Sequence, residues 1–275
     1  MNLTLGFSPC PNDTFIFDAI VNRRIDLEGL EFNVHLDDVQ ELNEKAFQSE
    51  LDVTKVSYHA SAFLLDQYAI LSSGSALGRN CGPLLISKDM QQIDNIPTKT
   101  IAIPGKHTTA YLLLKFAFGE HLNISEMIFS DIEDAVIKEQ VDLGLIIHEN
   151  RFTYASKGLV KVMDMGVFWE EKTGLPIPLG SIMVRRNLPI DIQNKVNRVL
   201  RNSVLYAMEN PNVALPYMTC HAQEMDTQVM QSHVKLYVND YTIDLNADGR
   251  SAVRYLIEFV NPEAYLRWKN TLFVG

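Results

Sequence analysis

His148 ends the segment Asp142-Leu-Gly-Leu-Ile-Ile-His148, and the polar turn Glu149-Asn150-Arg151 follows at once. An apolar run of that length reads as a buried strand, and the carboxyl ends of strands are where open α/β sheets meet their ligands. Imidazole can take up a proton near neutral pH without help from a metal, so His148 is the candidate general base. The plainer alternative is a strand-end histidine bonded to a nearby carbonyl. Pro104-Gly105-Lys106-His107-Thr108-Thr109 joins a strand-like segment to a helix-like one, and there free N–H groups, the helix dipole and hydroxyls converge. That combination suits a carboxylate, with an ordinary helix cap as the alternative. ATP is not supported, because Thr100 stands where a Walker loop needs its first glycine and His107 where it needs serine or threonine. Thr54-Lys55-Val56-Ser57 also ends a strand and opens a helix, and it offers a cation and hydroxyls. An exposed lysine beside a capping serine is the other reading.

The loop Ser8-Pro-Cys10-Pro-Asn12-Asp13-Thr14 follows the first strand, with prolines that stiffen it and Asn12 or Asp13 suited to cap the next helix. Its backbone N–H groups could face a ligand, or it could be only a well-capped turn. Cys10 has no neighbouring base and reads as a packed residue. The seven histidines show no H-x-x-x-H or H-E-x-x-H spacing and the cysteines are not paired for zinc, so no metal is expected. His35, His121, His221 and His233 fall in surface-like contexts and read as structural. No G-x-S-x-G or G-x-G-x-x-G is found, which removes support for a serine hydrolase or a dinucleotide fold.

Segments positioning these residues alternate. Strands are expected over 3–7, 30–36, 51–56, 68–71 and 83–87, and helices over 14–21, 39–46 and 58–65, with a glycine-rich connection at 72–82. A second α/β series covers 100–103, a helix at 109–118, a segment at 126–129 and the strand that ends at His148. After a strand at 179–184, helical spacing dominates 191–209, 211–219, 226–238 and 247–260. The fold class is therefore α/β in two lobes. The helical tail is expected to return to the first lobe, giving 1–88 plus 185–275 as one lobe and 89–184 as the other.

With 275 residues the chain is long enough for two cores, and 47% apolar and 21% charged residues are ordinary globular values. A net charge of -10 opposes nucleic-acid binding, and no apolar run approaches the ~20 residues of a membrane span. The opening residues lack a signal-peptide pattern and the three cysteines are scattered, which together suggest a cytoplasmic protein. A small-molecule carboxylate is the expected partner; the oligomeric state is not legible.

Gly6-Phe-Ser-Pro-Cys-Pro-Asn-Asp-Thr-Phe15, Thr54-Lys55 with Ser57-Tyr58, Ala76-Leu-Gly-Arg79, Pro104-Gly with His107-Thr-Thr-Ala-Tyr111, and Gly144-Leu-Ile-Ile-His-Glu149 with Arg151-Phe-Thr-Tyr154 occur in order. Together with Thr173-Gly-Leu-Pro-Ile-Pro-Leu-Gly180 and Leu272-Phe-Val-Gly275, they make the chain resemble the 1,4-dihydroxy-6-naphthoate synthase family of the futalosine route to menaquinone. The resemblance implies a two-lobed fold like that of type II periplasmic binding proteins, with the active site in the interlobe cleft. It implies a cofactor-free lyase that cleaves cyclic dehypoxanthinylfutalosine to 1,4-dihydroxy-6-naphthoate and dihydroxyacetone. The matched motifs put the proton acceptor at His148 and the substrate contacts at Lys55, Val56, Ser57, Thr108 and Thr109. Asn12 and His107, in the adjoining loops, join them as candidate contacts. The rivals are the related chorismate dehydratase and a non-catalytic binder or sensor of small carboxylates.

Overall fold

The computed structural model describes residues 1–222 and 226–275, which fall into two compact units. Unit 1 comprises Met1–Gly78 and Pro178–Gly275, and unit 2 comprises Arg79–Ile177. The chain opens with β1 (Asn2–Phe7), α1 (Pro11–Val21), β2 (Glu31–Leu36), α2 (Val39–Phe47), β3 (Val53–Ser57), α3 (Tyr58–Leu64), β4 (Tyr68–Leu71) and β5 (Ala76–Gly78). Unit 2 follows with β6 (Leu84–Ser87), β7 (Thr100–Ile103), α4 (Thr109–Phe118), β8 (Asn123–Glu126), α5 (Ile132–Ile137), β9 (Leu143–Ile146), α6 (Asn150–Thr153), β10 (Val160–Asp164) and α7 (Met165–Thr173). The return to unit 1 is β11 (Ile177–Arg185), α8 (Ile190–Glu209), α9 (Leu215–His221), α10 (Thr227–Tyr237), α11 (Asp240–Ile243), α12 (Ala247–Val260), α13 (Pro262–Trp268) and β12 (Phe273–Val274).

The sheet of unit 1 runs β12-β4-β11-β3-β1-β2, with β5 on β11. β1 lies parallel to β2 and β3, while β11 runs antiparallel to β3 and β4. Its core joins Leu3, Leu5 and Phe7 of β1 to Phe15 and Phe17 of α1, and the Phe7 and Phe17 rings stack at 4.3 Å. α8 contributes Val196, Val199, Leu200 and Val204, the i, i+3, i+4, i+8 stripe of an amphipathic helix. The sheet of unit 2 runs β10-β6-β9-β7-β8, with β7 parallel to both neighbours. α5 packs directly on β9 because Gly144 has no side chain: a Cβ there would lie 2.6 Å from Ile132.

The expected lobe boundaries move. β6 pairs with β9 and β10, so it belongs to unit 2 rather than to the first lobe, and β11 pairs wholly within the first sheet. The crossings therefore fall at 78–79 and 177–178, not at 88–89 and 184–185. α1 begins at Pro11, whose fixed φ suits a first helical position, so its N-cap is Cys10 and not Asn12 or Asp13. The segment at 126–129 resolves into the end of β8 and a 3-10 turn over Phe129–Asp131. The tail is not purely helical, since β12 completes the first sheet beside β4.

Candidate functional site

In unit 2, Ala102 of β7 pairs in parallel with Gly144 of β9, so the loops leaving these neighbouring strands emerge at the same sheet edge. One loop carries 104–108 and the other carries His148. Thr108 is the N-cap of α4: its hydroxyl accepts from Tyr111 N at 3.3 Å and donates to the Gly105 carbonyl at 2.7 Å. Thr109 follows it, also buried, and half-buried His107 precedes it. The backbone N–H of Lys106 donates to Glu126 at 2.7 Å, which ties the loop to β8.

β9 stops at Ile146, so His148 is not the last residue of a strand but lies in the turn beyond it, with a left-handed φ of 57°. Few side chains adopt that conformation, and it persists where the surroundings enforce it. The enforcement is visible on both sides of the turn. Phe129 meets the His148 ring edge-on at 4.9 Å. One helical turn on from Phe129, buried Glu133 accepts from the Asn150 amide at 2.8 Å and from Lys157 at 2.6 Å. Arg151 donates to the carbonyls of Asn80 and Gly82 and pairs with Asp164 at 2.8 Å. His148 itself is half-buried, like His107, with its Nε2 out of contact with solvent, and Glu149 is buried.

In unit 1, Gly6 of β1 pairs with Thr54 of β3, which puts the 8–13 loop beside Lys55. The Lys55 ammonium lies 2.6 Å from the Asp13 carboxylate, and both side chains are more than nine-tenths buried. Oδ1 of Asp13 also accepts from the Asn12 amide at 2.8 Å, and its Oδ2 accepts from Ser8 N at 3.2 Å and Ser8 Oγ at 2.7 Å. Gly180 of β11 makes room for this lysine, since a Cβ there would meet Lys55 Cε at 2.6 Å. Ser57 closes β3 and caps α3, accepting from Ala60 N at 3.2 Å. Val56 is wholly buried and points to the opposite face of β3 from Lys55 and Ser57. Tyr58 shares a hydrogen bond with Ser75 at 2.8 Å, and burial raises its phenol far above the ordinary tyrosine range, so it stays neutral.

Sequence reasoning names His107, Thr108, Thr109, His148, Asn12 and Lys55 as separate candidates, and the structure sets the 107–109 loop at the His148 sheet edge and the Asn12 loop beside Lys55. It misses Asp13 as the partner of Lys55, and it misplaces His233. That histidine is fully buried on α10, with Nε2 2.8 Å from Asn12 Oδ1. Met230, His233 and Tyr237 recur at i, i+3 and i+7, a spacing that marks the inner face of a helix and could have found it. Among the described residues, no group of three or more His, Cys, Asp or Glu side chains is arranged to hold a metal, and no helix is long and apolar enough to cross a membrane.

The sequence profile of a family described as menaquinone biosynthesis matches residues 3–261. A Thermus thermophilus protein named 1,4-dihydroxy-6-naphthoate synthase is 44% identical over 95% of this chain and 94% of its own length. A Streptomyces coelicolor protein of the same name is 42% identical over 93% and 91%. A crystal structure from Archaeoglobus fulgidus superposes with a TM-score of 0.88 at 36% identity and covers 98% of each chain. A Candida albicans protein described as having the generic periplasmic-binding-protein fold superposes at 0.70 with 11% identity, over 99% of this chain and 96% of that one. The fold is of that periplasmic-binding-protein class.

Proposed function

Because the chain belongs to the menaquinone biosynthesis family, we propose that it is a 1,4-dihydroxy-6-naphthoate synthase, a cofactor-free carbon–carbon lyase acting on cyclic dehypoxanthinylfutalosine. The observation that carries this reading is the agreement of two relatives that share that name and align along nearly the whole chain. The second product is dihydroxyacetone.

The roles follow from where each side chain stands. His148 is the proton acceptor: its ring is partly buried on a pinned turn, which suits a base held in one place for a substrate to meet. A positioned base supplies roughly 10^2- to 10^4-fold in rate. Release of an aromatic naphthalene diol supplies further drive. The substrate carboxylate goes to the start of α4, where Thr108, Thr109 and His107 stand at the positive end of the helix dipole.

Lys55 has a different task. Its charge is balanced by Asp13, so the pair offers hydrogen bonds rather than a net positive charge. An ammonium has three donors and Asp13 takes one, which leaves two for neutral substrate oxygens, with Ser57 beside it.

Purified protein incubated separately with the cyclic futalosine derivative and with chorismate tests the assignment. Appearance of the naphthoate spectrum together with dihydroxyacetone is expected from the first alone. Turnover of chorismate would make the chain a dehydratase, and turnover of neither would make it a binder.

A further inference from the structure

We propose that His233 and Asn12 are positioning residues of the substrate site, which fix the Asp13 carboxylate and through it the place where Lys55 presents its ammonium. The proposal rests on the assignment of Lys55 to substrate.

The hydrogen-bond directions along this line are determined. Only the NH2 end of the Asn12 amide can face a carboxylate, because the flipped amide would set oxygen against oxygen. Asn12 therefore turns its carbonyl oxygen to His233, and Nε2 of His233 must carry a proton and donate it. The Asp13 carboxylate then accepts two donors on each oxygen: Lys55 and Asn12 on Oδ1, and the Ser8 N–H and hydroxyl on Oδ2. Two per oxygen saturates a carboxylate, so Asp13 cannot swing toward a ligand and Lys55 is the member of the line with donors to spare.

Core packing does not explain this arrangement. His233 sits where α10 buries its apolar side, between Met230 and Tyr237, and an apolar ring would fill that volume without the cost of burying an imidazole. A buried ion pair is not favoured over apolar side chains of similar size either. Both features gain a reason if they hold one ammonium in one place. The line crosses from α10 to α1 to β3 and ends at the carboxyl ends of two parallel strands, the edge from which α/β sheets address ligands.

His233→Gln keeps an N–H near the Nε2 position, whereas His233→Phe keeps the ring without the donor. Steady-state kinetics with the cyclic futalosine substrate should give a KM raised about tenfold in the Phe variant with kcat within about threefold, and near-normal values in the Gln variant. A Phe variant that melts like the parent and keeps its KM overturns the proposal, and so does a Gln variant that is as impaired as Phe. A second readout needs no substrate: the side-chain NMR signal of Lys55 should shift in His233→Phe and in Asn12→Ser but not in His233→Gln. In the parent protein the imidazole 15N shifts should show a proton on Nε2, and an Nδ1–H tautomer would overturn the proposal even if a variant failed to fold. Should the parent turn over no substrate, the proposed activity fails, while the two NMR results still decide the positioning line.

Discussion

Lys55 and His148 both lie near the carboxyl ends of parallel strands, yet the first is buried and ion-paired within a regular strand and the second is only partly buried on a left-handed turn beyond one. Lys55 is held by its own head group, through a carboxylate whose other acceptor positions are filled by Ser8 and Asn12. The His148 turn is held through what flanks the ring, namely Phe129, Asn150 and Arg151. A donor that must offer hydrogen bonds from a fixed point gains from a saturated partner. On the proposed role, the His148 ring has to meet substrate, and the rigidity of its turn comes from the flanking residues.

This contrast predicts that damage to unit 1 appears mainly as lost stability and damage to the His148 turn mainly as lost rate. The largest stability effect is expected from Lys55→Met, which strands the Asp13 carboxylate in the interior and should cost about 3–5 kcal/mol in urea unfolding. Adding Asp13→Asn should recover much of that loss, and equal losses in single and double variants would contradict the pairing. Next comes Glu133→Leu, which removes the acceptor of the buried Asn150 amide. It should cost about 1–3 kcal/mol and lower kcat with little change in KM. A change confined to KM would show that Glu133 does not steady the His148 turn. Smaller still is Gly180→Ala, where the new Cβ would crowd Lys55. It should cost about 1 kcal/mol and raise KM, and an unchanged KM would separate the position of Lys55 from binding.

The smallest effect concerns thiols. Cys81 lies between the two carbonyls that Arg151 holds, and burial pushes its thiol up to about 12. It should resist iodoacetamide at pH 8 while exposed Cys220 is labelled, and its labelling rate should climb only as the pH approaches that value. Rapid labelling at pH 8 would show that the brace beneath the His148 turn is open.

The elements of unit 1 were legible because their patterns are local. Period-two strands and the apolar stripe of α8 announce themselves in sequence, and the parallel order of β1 and β3 follows from the helices between them. The 104–109 loop was equally readable from its strand, its glycine and its threonines. Much less legible were the partners. Nothing near Lys55 points to Asp13, forty-two residues away, because the pairing exists only once two strands align. The left-handed turn at His148 escaped for a related reason: its flanking residues look like a strand end, and the conformation is imposed by Glu133 and by carbonyls at 80 and 82. β10 and α7 have no pattern in the sequence that marks them, and β6 joins the second sheet rather than the first, since a buried four-residue strand carries no sign of the sheet it will join.

The central claim is that the His148 imidazole takes the substrate proton. His148→Asn tests it cleanly, because asparagine tolerates the left-handed backbone that position requires and so removes the base while keeping the turn. Measured together, the melting temperature and ligand affinity of the variant should stay close to the parent, and its rate of naphthoate formation should fall by roughly 10^2- to 10^4-fold. A folded, ligand-binding variant that turns over at near the parent rate would contradict the account.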